Sequence, residues 1–101
     1  MSVAYVAFQS ITVNDVIAYL RLSEVDSDEQ KLLTTALAAA RSFILHHTGR
    51  TATEADTIPE FTIAVYAICE EMYDKRTYTV DKESVSPIVD AILGARSMNL
   101  L

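Results

Sequence analysis

An apolar stripe between Ser27 and His47 limits what this chain can fold into more than any other feature. Leucine, alanine and isoleucine recur there at intervals of three and four residues, which predicts a long α-helix with one buried face. The stripe consists of Leu33, Leu37, Ala40 and Ile44. Asp26 or Ser27 is suited to cap the start of the helix. At about 1.5 Å per residue such a helix is roughly 30 Å long, and its many alanines allow close approach by a second helix.

That second helix is predicted from Pro59 to Lys75. Proline is favoured at the first helical position, and Thr57 is predicted to cap the helix just before it. Apolar residues again recur at helical spacing, at Phe61, Val65, Ile68 and Met72. With residues 49–58 as a connector, the two long helices are predicted to be antiparallel.

Two shorter helices flank this pair in the sequence. The first is predicted from Val13 to Leu20, with Thr12 as its cap and Asp15 completing an approximate capping box. The last begins at Pro87 and ends near Gly94, again with a proline at the start. The first is short and would be marginally stable alone, so it must dock on another part of the chain.

These elements predict an all-α fold: a short first helix, two long antiparallel helices and a short C-terminal helix. Residues 1–101 are expected to form one domain, with an extended N-terminal arm at 1–11, a helical core at 12–94 and a tail at 95–101. Half of the residues are hydrophobic and only two are glycine, which is typical of a folded, helix-rich domain. A strand is the alternative for the opening residues, because their apolar positions fit no helix.

The charge and cysteine content exclude several classes of function. A formal net charge of -6 disfavours gripping of nucleic-acid phosphates, since that affinity comes from lysine and arginine. Cys69 is the only cysteine, so no intrachain disulfide can form, and a lone cysteine in an apolar stretch is expected to be buried. No secretory signal and no membrane-spanning run is apparent, so a soluble, intracellular protein without membrane contact is expected.

No pattern in the chain predicts a catalytic, metal or cofactor site. His46 and His47 are adjacent, so on a helix they point about 100° apart and cannot share a metal as residues three or four apart can. They suit a helix C-terminus, where cations are favoured and where Gly49 can take a left-handed turn. Glu70 and Asp74 share a helix face, but no catalytic partner accompanies them. The chain is therefore predicted not to be an enzyme.

Three segments resemble, in order and spacing, the small head–tail connector proteins of tailed bacteriophages and prophages. The first is VNDVIAYLRLSEVDSDEQKLLTTALAAARSFILHHTGRT, residues 13–51, with AYLRL ending a short helix and TGR ending a long one. The second is IPEFTIAVYAICEEMYDKRT, residues 58–77, and the third is VSPIVDAILGAR, residues 85–96. The positions that carry the resemblance are Tyr19, Leu20, Arg21, Thr48, Gly49, Arg50, Pro59 and Pro87.

The resemblance implies a structural role without catalysis or cofactor. Members of the family assemble beneath the portal protein after DNA packaging, as a ring of roughly a dozen subunits that can be monomeric in isolation. The ring extends the DNA channel, without sequence-specific binding, and offers a docking surface to a tail-side stopper or completion protein. The implied location is the neck of the virion, after assembly in the bacterial cytoplasm. Tyr66 and Tyr73 are candidate interface residues, since tyrosine suits protein interfaces.

Two other functions are compatible with the sequence. One is another neck or tail-completion protein or a helical interaction module. The other is a small helical DNA-binding regulator, although a recognition helix should carry arginine, lysine, asparagine or glutamine aimed at base edges. The long helices here carry only scattered basic residues.

Overall fold

The computed structural model describes residues 5–75 and Gly94. Its regular secondary structure within residues 5–75 is entirely helical, which confirms the predicted all-α fold. A single turn of 3-10 helix comes first, followed by four α-helices. These elements are the 3-10 turn Phe8–Ser10, α1 Val13–Leu20, α2 Ser27–Thr48, α3 Ala52–Ala55 and α4 Pro59–Lys75. The helix predicted from Pro87, and the predicted tail, lie outside the described residues except for Gly94, which is helical.

The starts of α1 and α2 follow the predicted capping chemistry. The Thr12 hydroxyl accepts from the Asp15 backbone N–H at 3.2 Å, and the Asp15 carboxylate accepts from the Thr12 backbone N–H at 2.8 Å. This reciprocal pair is the predicted capping box. For α2 the cap is Asp26 rather than Ser27, with its carboxylate accepting from the Glu29 N–H at 2.7 Å.

The connector between the long helices contains a helix that was not predicted. Helix α3 has its own capping box, in which Thr51 and Glu54 bond reciprocally at 2.9 and 3.2 Å. The prediction that Thr57 caps α4 is wrong, because its hydroxyl donates at 2.7 Å to the carbonyl of Glu54 and so closes α3. Ile58, which directly precedes Pro59, is buried in the core.

The core lies between α2 and α4, which pack against each other as antiparallel helices. A hydrogen bond between opposite ends of the two helices shows this direction. The hydroxyl of Tyr73, near the end of α4, donates at 2.6 Å to the carboxylate of Glu29 on the first turn of α2. Alanines on both helices are fully buried, at Ala36, Ala40 and Ala64. Their small side chains let the helices approach closely, as the alanine-rich stripe predicts. Helix α1 packs across both long helices.

The opening segment forms no strand over residues 5–11 and packs closely against the helices. Phe8 and Ile11 are buried, and the Phe8 ring meets Phe61 edge-on at 6.4 Å between centroids. The backbone of this segment is held by side chains of the helices. Thr62 donates to the carbonyl of Val6 at 2.6 Å. Arg41 donates to two further carbonyls, of Gln9 and Ile11, at 3.2 and 3.1 Å.

Replacing Gly49 with alanine should destabilise the domain by about 1 kcal/mol. Gly49 ends α2 with φ at 73°, and its N–H donates to the carbonyl of Leu45 at 2.9 Å. An added Cβ strains this left-handed conformation. Gly94→Ala is the matched control, because Gly94 is helical and exposed, and a Cβ added there meets no other atom within 4 Å. Urea unfolding should show a lower midpoint for Gly49→Ala only; equal midpoints would refute the role of this turn.

Candidate interaction surfaces

The TGR motif is built into the end of α2 and is not arranged for chemistry. Thr48 is buried, and its hydroxyl donates to the carbonyl of Ile44 at 2.7 Å. The same hydroxyl oxygen accepts from the Arg50 backbone N–H at 3.4 Å. The Arg50 guanidinium lies 3.9 Å from the Glu54 carboxylate. These contacts turn the chain from α2 into α3, so this part of the family resemblance has a structural role here.

The AYLRL motif also ends a helix. Arg21 has φ at 58°, the left-handed region that few residues other than glycine adopt. Its N–H donates to the carbonyl of Ala18 at 3.1 Å, and the N–H of Leu22 donates to that of Ile17 at 3.2 Å. Leu20 is half-buried against the core. Because no glycine marks this turn, its left-handed geometry could not be predicted from residue type.

The two candidate interface tyrosines lie on one flank of α4 and contact other helices. The ring of Tyr66 stacks on that of Tyr19 from α1, with centroids 4.8 Å apart and planes 11° apart. Burial, and next the charge of Asp15, raise the pKa of the Tyr66 phenol. Tyr73 uses its hydroxyl in the bond to Glu29. Tyr19 is 44% exposed and Tyr66 is half-buried, so Tyr19 is the more exposed ring of the stacked pair.

Cys69 is buried on the core face of α4, and burial raises the pKa of its thiol to about 12. At neutral pH the thiolate, which is the reactive form, is therefore scarce in the folded protein. We predict that a thiol reagent labels the native protein slowly at a pH of about 7.5 and rapidly in denaturing urea. Rapid labelling of the native protein, followed by absorbance, would contradict the buried placement.

The outer face of α4 is apolar at one end and acidic at the other. We define this face as Ile63, Ala67, Glu70 and Asp74, which are spaced by four, seven and eleven residues from the first. Ile63 is 54% exposed, and Glu70 and Asp74 are exposed at the far end. The helix has four carboxylates in all and one lysine, Lys75, which pairs with Glu71 at 2.6 Å.

The outer face of α2 has the opposite character. We define it as Lys31, Thr35, Ala38 and Ser42, all exposed and spaced as on the outer face of α4. Residues 30–53 contain no carboxylate, whereas Lys31, Arg41, Arg50 and both histidines lie among them. Leu32, which is 43% exposed, borders the face. An open depression of about 500 Å³ lies at the N-terminal part of α2, lined by Ser27, Gln30, Lys31, Thr34 and Thr35.

The histidines at the end of α2 do not converge on a common ligand. Both side chains are exposed, and the His47 ring stacks on Phe43 with centroids 5.5 Å apart. Across the part of the chain that the structure describes, no group of three or more histidine, cysteine or acidic side chains is placed to hold a metal ion. None of the helices in residues 5–75 combines the length and apolarity needed to cross a membrane.

Comparison with known proteins identifies no relative of this chain. No family model matches the chain, and neither a curated protein nor a solved structure shows significant similarity to it.

Proposed function

We propose that this chain is a structural head–tail connector of a tailed phage or prophage, which forms a ring beneath the portal protein. The observation that carries the proposal is the unlike character of the two outer helix faces. The outer face of α4 is acidic and the outer face of α2 lacks carboxylates. A closed ring of identical subunits joins one patch of each subunit to a different patch of its neighbour. A domain with two unlike, exposed faces is suited to that contact.

The charge of the chain supports the second part of the role, passage of DNA. A ring whose subunits each carry a formal charge of -6 repels phosphates, so a duplex in its channel is not held. The acidic residues include a cluster around the start of α2, at Glu24, Asp26, Asp28 and Glu29. In this proposal the exposed end of the ring receives the tail-side completion protein. The subunit acts by shape and contact and carries out no reaction.

The alternative role as a DNA-binding regulator has less support. Helix α4 carries four carboxylates, and the outer face of α2 offers Lys31 as its only full positive charge. A recognition helix needs several side chains that donate to base edges or phosphates. A gel shift at low salt that showed tight duplex binding would favour the regulator over the connector.

The connector proposal is tested by mixing the protein with the portal protein from the same genome and measuring particle masses by mass photometry. We expect portal particles to gain the mass of a complete ring of 11.2 kDa subunits. The matched control is a portal from an unrelated phage, which should gain no mass. Portal particles that keep their original mass at saturating subunit concentration would refute the proposal. The protein alone is not a sufficient test, because isolated subunits can be monomeric.

A further inference from the structure

We infer that identical subunits associate head to tail, with the outer face of α4 on one subunit against the outer face of α2 on the next. Each face is thus covered by a second copy of this chain. The inference deepens the proposed function and rests on its ring, because it names the two surfaces that close it. Two properties of the described residues support it, exposed apolar side chains and opposite charge, and the spacing of the residues then gives the alignment.

Exposed apolar side chains lie at both faces. Only three large hydrophobic residues within residues 5–75 are conspicuously exposed, and two of them lie at these faces: Ile63 on α4 and Leu32 beside Lys31 on α2. An exposed Ile or Leu is common alone. Ile63 belongs to the outer face of α4, one turn before half-buried Ala67, and Leu32 borders the outer face of α2, where Ala38 is exposed. The alanines allow a second helix to approach each face closely.

Charge selects which faces meet. A parallel contact between two copies of the outer face of α4 would bring Glu70 and Asp74 of each subunit together, and such like-charge contact is unfavourable. Contact with the outer face of α2 instead brings these carboxylates to a face that carries Lys31 and no acidic residue; the nearest carboxylates of α2, Asp28 and Glu29, lie just before Lys31. Within the described residues Glu70, Asp74 and Lys31 form no ion pair, so their charges are available to a neighbour.

The spacing of the faces gives the alignment. Both have residues at intervals of four, seven and eleven, so two helices can pair along their whole faces. An antiparallel alignment places Lys31 opposite Asp74, Ala38 opposite Ala67, and Ser42 opposite Ile63. Opposite charges then meet at one end, alanines at the centre, and Ile63 meets a small side chain at the other end. The reverse alignment would leave Lys31 beside Ile63 and far from both acidic residues of the face.

A head-to-tail contact is distinguished from a symmetric one by cysteine cross-linking. We would make Ala38→Cys, Ala67→Cys and the double variant, and treat each with a short bismaleimide at high protein concentration, which traps weak contacts. Native Cys69 is buried and contributes no reactive thiol. The control is Ala38→Cys combined with Ala18→Cys, since Ala18 is exposed on α1, which contributes to neither face. Circular dichroism verifies that each variant is folded.

The double variant Ala38→Cys/Ala67→Cys should give a ladder of covalent dimers, trimers and larger species on a denaturing gel. Neither single variant nor the control should do so. Covalent dimers from either single variant would show like faces in contact and would overturn the inference. Portal-bound rings without any ladder would overturn it too, while leaving the connector proposal intact. A ladder from a protein that never binds the portal would uphold the head-to-tail contact and refute the connector.

The charge pairing has its own test. Lys31→Glu and Asp74→Lys should each lower the yield of the cross-linked ladder severalfold, measured in the double-cysteine background. Combining both changes restores opposite charges across the contact and should recover most of the yield. Glu24→Lys, which alters the net charge as Asp74→Lys does but lies in an exposed connector, should leave the yield unchanged. No recovery in the combined variant would overturn the antiparallel alignment.

Discussion

Replacing Phe61 with alanine should lower the free energy of unfolding by about 4 kcal/mol, as expected for the loss of a fully buried aromatic ring. The Phe61 side chain is fully buried at the start of α4, and its ring contacts that of Phe8 from the opening segment. Truncation removes the buried ring and leaves a cavity that rigid helices refill only in part. Since small domains are stable by about 5–15 kcal/mol, the variant should be close to unfolding at moderate temperature.

Urea unfolding followed by circular dichroism measures this effect. Ile63→Ala is the matched control, because Ile63 lies two residues further along the same helix and is 54% exposed. At concentrations where the protein is monomeric, the control should lose less than about 1 kcal/mol. A loss below about 1 kcal/mol for Phe61→Ala would mean that the opening segment does not pack on α4 as described.

Replacing Ala40 with leucine should destabilise the domain by about 2–3 kcal/mol. Ala40 is fully buried on the face of α2 that meets α4, where Ala36 and Ala64 are buried as well. The larger side chain has no space between these closely packed helices, so it must force them apart or adopt a strained rotamer. The variant should melt at a lower temperature, as measured by differential scanning calorimetry.

Ala38→Leu is the control for this change. Ala38 is on the same helix but exposed, so leucine there should alter the melting temperature of the monomer little. An equal loss in both variants would indicate a general effect on α2 and not close packing against α4. An unchanged melting temperature for Ala40→Leu would show that the helices are further apart than in the structure.

The regular helices were predictable because their signals are local. The periodicity of α2 and α4 and the Thr12–Asp15 capping box depend on residues within four positions of one another. Helix α3 was not predicted, although Thr51 and Glu54 have the spacing of a capping box. The cap of α4 was wrongly placed at Thr57, because the hydroxyl of Thr57 bonds backward to Glu54.

Contacts between distant residues could not be predicted from the sequence. Arg41 is one of a few scattered basic residues in the sequence, yet its guanidinium binds two carbonyls of the segment before α1, those of Gln9 and Ile11. The apolar residues of that segment follow no helical or strand period, because its conformation is set by contacts with α2 and α4 and not by its own sequence. Likewise, the sequence indicated Tyr66 and Tyr73 as candidate interface residues, but did not identify their partners within the chain, Tyr19 and Glu29.

The candidate surfaces were partly visible in the sequence. The acidic residues of α4 could be read directly as solvated positions. The alanines of α2 could be read as positions that allow close helix packing. The stripe predicted Ala40 on the buried face of α2, and the structure confirms it. That Ala38 is exposed on the opposite side, in a face unlike the outer face of α4, became clear only from the structure.

The proposed role is to join heads to tails, and disrupting the gene in the source genome tests it most directly. Particles from the induced lysate would be counted by negative-stain electron microscopy, with the intact gene supplied in trans as the control. The connector proposal predicts DNA-filled or emptied heads without tails, alongside free tails, with tailed particles restored by the supplied gene. Tailed, infectious particles at the normal yield without the gene would contradict it.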